Sequence, residues 1–183
     1  MEAAGRDGAA LAARDHLSVL VPITSRATVP RSLSPISIVT PTVIATAELV
    51  VDTPGEGFLD ITAQLREFIG KAGAHEGAAS LFLRHTSASL TIQENADPDV
   101  LRDLVSALRH LAPRDFGWVH DTEGPDDMPA HIRTMLTGVS LQIPVMKGRL
   151  QLGTWQGVYL VEHRARPHRR QIVLQFAGSQ RAA

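Results

Sequence analysis

The chain predicts an α+β fold built on a largely antiparallel sheet, with about three helices. Three observations carry this. Segments of strand character outnumber segments of helical periodicity, most strands follow one another in hairpin-like order, and the βαβ alternation of parallel sheets is missing. A hydrophobic fraction of 44% beside a charged fraction of 20% supplies enough apolar material for a sizeable core.

Val43 to Val51 is β-branched and lies between Pro41 and Thr53-Pro54-Gly55, so it predicts the first strand. Asp60 is a good N-cap, and Ile61, Leu65, Phe68 and Ile69 follow at helical spacing toward a stop near Gly70 or Gly73. Ala78 to Leu83 predicts a second strand, running directly into Arg84-His85-Thr86-Ser87-Ala88, and Leu90 to Ile92 a third. Asp97-Pro98 marks a helix start, with Asp as cap and Pro at the first helical position. Leu101, Leu104, Val105, Leu108 and Leu111 form its apolar face, and Pro113 ends it. Pro129 opens a third helix with Ile132, Met135 and Leu136 inward and Gly138 as its stop. Val139 to Ile143 alternates as a half-buried strand, and Lys147-Gly148 turns the chain into Leu150-Gln151-Leu152. Trp155 to Val161 is a long strand, and Gln171 to Phe176 is expected to pair with it after an Arg-rich turn. Period-2 alternation puts Thr154, Gln156, Val158, Leu160, Glu162 and Arg164 on one face, with Trp155, Gly157, Tyr159, Val161 and His163 on the other.

Composition removes several functions. A net charge of −1 argues against a general nucleic-acid surface. The absence of cysteine excludes disulfides, thiolate metal sites and thiol catalysis. No apolar run reaches the length of a membrane span. Residues 1–40 are rich in Ala, Ser, Thr, Pro and Arg and predict a flexible or loosely docked extension before a domain over 41–180. Leu17 to Ile23 is short for a signal segment and follows Asp15 and His16, while Arg6, Arg14, Arg26 and Arg31 give a faint transit-peptide character. Cytoplasmic residence is the expectation, with organelle targeting by the extension left open. No glycine-rich nucleotide fingerprint occurs, because Gly153-Thr154-Trp155-Gln156-Gly157 opens a strand.

Chemistry concentrates in His120 to His131, where two histidines and Asp121, Glu123, Asp126 and Asp127 surround Gly124-Pro125. Imidazole nitrogens and carboxylate oxygens ligate borderline divalent metals and also serve as general acids and bases. The eleven-residue spacing gives no helix-face histidine pair, so the chain must fold back to join them. Two histidines and one further ligand would make an open site of catalytic type. His85-Thr86-Ser87 ends a strand and is either a ligand site or a turn with local hydrogen bonds; Ser87 as nucleophile lacks the G-x-S-x-G elbow. Glu94 and Asn95 stay available because Asp97 is used as a cap. Glu162 and Arg164 are equally readable as a pair on a solvated face. Arg164, Arg166, Arg169 and Arg170, with His163 and His168, form a basic turn that could receive a phosphate, although solvation is the commoner explanation.

Four motifs occur in order: His85-Thr86-Ser87-Ala88, Glu94-Asn95-Ala96-Asp97, Glu123-Gly124-Pro125-Asp126-Asp127-Met128-Pro129-Ala130-His131 and Gly153-Thr154-Trp155-Gln156-Gly157. From Pro41 onward the chain closely resembles the YjbQ-like family, also called secondary thiamine-phosphate synthases. The resemblance implies a sandwich-like α+β fold assembled as a homotrimer. It also implies a weak thiamine-phosphate synthase activity, joining a pyrimidine pyrophosphate to a thiazole phosphate. Carried over, His85, His120 and His131 become metal-site or catalytic histidines, joined by Asp126 as a catalytic carboxylate. Asn95, Thr154 and Gln156 line the site, with Thr86, Ser87 and Glu162 beside them; Glu162 fits the family pattern better than His163. The expectation is a metal-binding homotrimeric enzyme acting on a small phosphorylated metabolite. Zinc is the first choice from the histidine ligands, with magnesium or manganese as alternatives. The competing readings are a zinc-dependent hydrolase with Asp126 or Asp127 as base and a non-enzymatic metabolite-binding trimer. No nucleic-acid or membrane partner is expected.

Overall fold

Strand after strand pairs antiparallel in the computed structural model, which describes residues 32–181. The chain divides into Met1–Ile36 and Ser37–Ala183, and all that follows concerns the second unit. The expected targeting features of residues 1–31 lie outside the described residues, and residues 32–42 carry no regular secondary structure. The elements are β1 (Val43–Thr53), β2 (Gly57–Asp60), α1 (Thr62–Lys71), β3 (Ala74–Leu83), β4 (Ala88–Glu94), α2 (Pro98–Leu111), α3 (Asp127–Thr137), β5 (Ser140–Met146), β6 (Arg149–Leu150), β7 (Gln156–Glu162) and β8 (His168–Gln180).

They form two antiparallel sheets, one of five strands in the order β1-β8-β3-β5-β6 and one of three in the order β2-β7-β4. Leu81, Leu83, Leu90, Ile143, Leu160, Ile172 and Phe176 are buried in one apolar core, to which α1 adds Leu65, Phe68 and Ile69. Asp60 accepts the Thr62 N–H (2.8 Å) from the end of β2, one residue ahead of Ile61, which takes the expected N-cap position of α1 without a side-chain bond. Asp97 is the N-cap of α2 and accepts the Asp99 N–H (2.9 Å). The hairpin at Lys147-Gly148 has both residues at positive φ (50° and 73°), the primed-turn conformation that suits the twist of paired strands.

Three expectations need correction. The last strand does not pair with β7: β8 lies between β1 and β3, while β7 lies between β2 and β4. β2 is too short to show a period and was absent from the sequence reading. Met135 and Leu136 are 74% and 56% exposed, and α3 instead turns Pro129, Ala130, Arg133 and Thr134 inward. The reason is that α3 begins at Asp127 and anchors by polar bonds: Thr134 Oγ1 donates to the Ala88 carbonyl (3.2 Å), and Arg133 donates to two carbonyls at the C-terminal end of α2, that of Ala112 and that of Leu108, which also accepts the Ala112 N–H. α2 keeps Leu101, Leu104, Val105 and Leu108 of its expected apolar stripe half-buried, while Leu111 is exposed and no residue of the helix is fully buried.

Above β7, His163 is enclosed and pairs through Nε2 with Ser89 Oγ (2.9 Å). Burial, with the Arg133 charge nearby, pushes its pKa down from 6.5 to about 4. Between those values the unfolded chain binds a proton that the folded chain refuses. Stability is therefore expected to fall as pH drops from about 6.5 to about 4, by about 3 kcal/mol for one such group, and to level off below. Urea unfolding across that range should show the slope, and His163→Gln should flatten it.

Candidate metal centre

The site grows from the first turn of α3. Asp127 opens the helix, where a carboxylate is favoured by the exposed N–H groups, and His131 follows four residues later on the same face. Asp127 is 1% exposed. Its Oδ2 lies 2.9 Å from His120 Nε2 and 3.3 Å from His131 Nε2. Its Oδ1 accepts from the Arg164 guanidinium. Among the described residues, His120, Asp127 and His131 form the group whose potential ligand atoms converge, all within 4.8 Å of one another. The two imidazoles approach because the chain folds back at Gly124, whose φ of 106° is left-handed backbone that favours glycine.

The hydrogen-bond pattern fixes the proton on His131. Its Nδ1 lies 3.0 Å from the Thr86 carbonyl, which can only accept, so Nδ1 carries the hydrogen. In the neutral ring, Nε2 then presents a lone pair toward the Asp127 carboxylate. Two acceptors 3.3 Å apart repel unless a cation or a proton sits between them.

A wall of ionic contacts stands behind this group. Arg164 donates to Asp127 and to the Glu123 carbonyl (2.7 Å), while its Nε is buried without a hydrogen bond, 3.4 Å from Asp126. Asp126 accepts the Ala165 N–H (2.7 Å). Burial alone would raise the Asp126 pKa, but the Ala165 N–H and the Arg164 charge outweigh it and hold the carboxyl below the usual range. Asp126 therefore fastens the Gly124 turn to the β7–β8 turn, and the converging carboxylate is its neighbour Asp127.

The remaining sequence-predicted residues scatter. His85 lies outside the converging group, because its Nε2 accepts the Gln171 N–H (3.1 Å) and also meets the Gln171 side chain (3.0 Å). Burial and the Arg170 charge lower its pKa, which keeps the ring neutral. Thr86 contributes its carbonyl to His131, while its side chain is exposed. The Ser87 carbonyl faces Arg170 at 3.5 Å. Asn95, Thr154 and Gln156 sit at the far end of the three-stranded sheet: Asn95 donates to the Gln156 carbonyl (3.4 Å), and Gln156 Oε1 accepts the Gly153 N–H (2.8 Å). In the β4–β7 register Glu94 faces Gln156 whereas Ala88 faces Glu162, so the length of a strand, about 20 Å, separates them from the Thr86 end.

Glu162 is not on a solvated face and does not pair with Arg164. It is fully buried against Arg170, with contacts of 2.8 and 2.6 Å, and accepts from Thr53 Oγ1 (2.8 Å) and the Arg164 N–H (2.9 Å). Burial alone would raise its pKa, and these donors, Arg170 first, hold it low. A carboxylate so enclosed holds the β7–β8 turn and has no surface left for a substrate. His163, set aside in the sequence reading, is likewise internal.

Sequence reasoning did not single out Asp127 as the carboxylate that both histidines approach, nor Arg164 as its support. The signal was present: a helix started at Asp127 rather than Pro129 puts Asp127 and His131 at i and i+4, the same-face spacing sought for the histidines alone.

Comparison with known proteins places these residues in a wider set. A family model described as UPF0047 protein YjbQ-like matches residues 47–179. The UPF0047 protein sll1880 of Synechocystis is 50% identical over 131 residues, covering 71% of this chain and 89% of that protein. The UPF0047 protein YjbQ of Salmonella typhimurium is 45% identical, over 67% of this chain and 89% of its own length. Among solved structures, a conserved YjbQ/UPF0047 protein from Clostridium acetobutylicum aligns with TM-score 0.66 and 37% identity, over 71% of this chain and 98% of that one.

Removing Arg170 should strand the buried Glu162 charge: Arg170→Met is expected to lower stability by about 3–5 kcal/mol in urea unfolding. The paired replacement Glu162→Leu with Arg170→Met should cost less than Arg170→Met alone, since no uncompensated charge remains.

Proposed function

This chain belongs to the UPF0047 YjbQ-like family, and for this member we propose a metal-dependent enzyme that acts on a small phosphorylated metabolite, with His120, Asp127 and His131 as the metal ligands. The observation that carries the reading is the convergence of His120 Nε2 and His131 Nε2 on one oxygen of the buried Asp127 carboxylate, with His131 Nδ1 directed at the Thr86 carbonyl. A histidine so oriented is the usual form of a metal ligand, its second nitrogen tied to a carbonyl. Two imidazoles and one carboxylate fit zinc better than magnesium, which prefers oxygen donors throughout. His120, Asp127 and His131 would hold the ion, which would supply Lewis-acid chemistry to a bound substrate.

The chain's own groups complete the chemistry. Arg164 holds Asp127 in place through the oxygen that the histidines do not use. His120 would hold the ion through Nε2, with its ring hydrogen on Nδ1. Asp126, tied to Ala165 and Arg164, positions the Gly124 turn and is not the base.

The nitrogen-rich ligand set favours hydrolysis of a phosphoester over pyrophosphate displacement. Thiamine-phosphate synthesis, implied by the sequence resemblance, is the reaction to assay against it. We include the homotrimer in the proposal; exposed Ile44, Phe82 and Met146 on strands of the larger sheet support association, and sedimentation mass tests it.

Zinc titration into chelator-treated protein is the test of the site. One zinc per chain is expected, with affinity lowered at least ~100-fold in Asp127→Asn, His120→Ala and His131→Ala and ~10–100-fold in Arg164→Gln. His85→Ala should bind as the parent does, and loss of affinity there would restore a three-histidine site. A phosphomonoester panel should show turnover that chelation abolishes and zinc restores. Turnover indifferent to chelation would remove the metal from the reaction.

A further inference from the structure

The turn between β7 and β8, together with the Gly124 turn and Arg114, encloses a cavity of about 350 Å³, at the small end of the usual range for ligand sites. We propose that this cavity is a phosphate-binding subsite in which Arg114 and Arg166 grip the phosphate of the substrate. The proposal deepens the reading above and rests on it only for calling the ligand a substrate.

Charge is the first argument. Three arginines line the cavity, namely Arg114, Arg164 and Arg166. Arg164 is spent on Asp126 and Asp127. Arg114 and Arg166 make no side-chain hydrogen bond or ion pair among the described residues. Arg114 is near Glu56, but that carboxylate already takes Arg109 at 2.6 Å and Arg133 at 2.6 Å. On the lining, Asp126 is covered by the Ala165 N–H and Arg164, which leaves Glu123 as the one carboxylate facing two uncommitted guanidinium groups. Each guanidinium offers the planar fork that matches phosphate oxygens.

Pre-organisation is the second. A solvated basic loop has no reason to be fixed, yet this turn is held at nearly every residue. The Arg164 N–H donates to Glu162 (2.9 Å), the Ala165 N–H to Asp126 (2.7 Å) and the His168 N–H to Thr53 Oγ1 (3.1 Å). His168 Nδ1 donates to the Arg166 carbonyl (2.8 Å), which leaves Nε2 open. Arg169, by contrast, pairs with Asp52 across the β1–β8 ladder and lies outside the cavity.

Position is the third. The wall shared by the cavity and the metal centre is Arg164 with Asp126, adjacent in sequence to Asp127. A phosphate held by Arg114 and Arg166 is thereby placed next to the metal ligands. A nucleic-acid backbone fits less well, since exposed Asp115, Asp121 and Glu123 flank the entrance segments and would repel a polyanion.

Inorganic phosphate titrated calorimetrically into the full chain, after chelator treatment and at low ionic strength, tests the subsite without the metal. Saturable one-to-one binding is expected. Arg114→Ala with Arg166→Ala should weaken it at least tenfold, while Arg169→Ala, which removes a charge elsewhere, should leave it within twofold. Both cavity arginines are exposed, and an unchanged melting temperature confirms that the double variant is folded. Equal affinity in the double variant, equal loss in Arg169→Ala, or no saturable binding would overturn the proposal. Tighter binding of single-stranded oligonucleotide, lost in the same double variant, would overturn it in favour of a polymer surface. Phosphate binding in a protein with no zinc affinity would uphold the subsite and remove the metal reading.

Discussion

A buried carboxylate cannot stay charged in an apolar setting without partners, and Asp127 is organised around that constraint. One oxygen takes the Arg164 guanidinium; the other faces two imidazole nitrogens. Arg164 in turn joins the β7–β8 turn to the Gly124 segment, and Asp126 repeats the link through the Ala165 N–H. Removing this one carboxylate would leave a guanidinium and two rings with no common partner. The histidine–aspartate cluster, the fixed basic turn and the cavity beside it share a single set of contacts.

A second buried ion pair holds the same region from below. Glu162 ends β7, and Arg170 lies in β8, so their contact closes the turn that carries Arg164. Thr53, at the end of β1, bonds to both ends of that turn through Glu162 and His168. Polar groups buried this deeply are costly unless all are satisfied, and here they locate the β7–β8 turn rather than add to the apolar core. The sandwich supplies rigidity, and the ionic layer at its edge supplies placement.

Much of this was legible beforehand. Asp97-Pro98 and Lys147-Gly148 act through local backbone chemistry, so α2 and the β5–β6 hairpin could be read directly. The antiparallel α+β class followed from strand order. Pairing partners were not legible, because which strand lies beside β8 depends on contacts as distant in sequence as Val43 with Gly178. The histidines and the acidic turn were identified by residue type. Which carboxylate meets them was not, since Asp126 and Asp127 are equivalent in sequence and differ only in which way α3 begins. Glu162 and Arg170 look like surface charges until the turn between β7 and β8 is folded. Asn95, Thr154 and Gln156 were grouped with the histidines by resemblance, and strand direction separates them within one chain.

The account turns on the protonation of one ring. Nitrogen-15 spectra of the His131 imidazole, recorded near pH 8 on chelator-treated protein and again with one equivalent of zinc, address it most directly. The account predicts a hydrogen on Nδ1 and a bare Nε2 in the first spectrum, with zinc moving the Nε2 resonance while Nδ1 keeps its hydrogen. A hydrogen on Nε2 in the metal-free protein, unmoved by zinc, would contradict it: His131 would then be an ordinary hydrogen-bond donor to Asp127, and the site would be an ion pair.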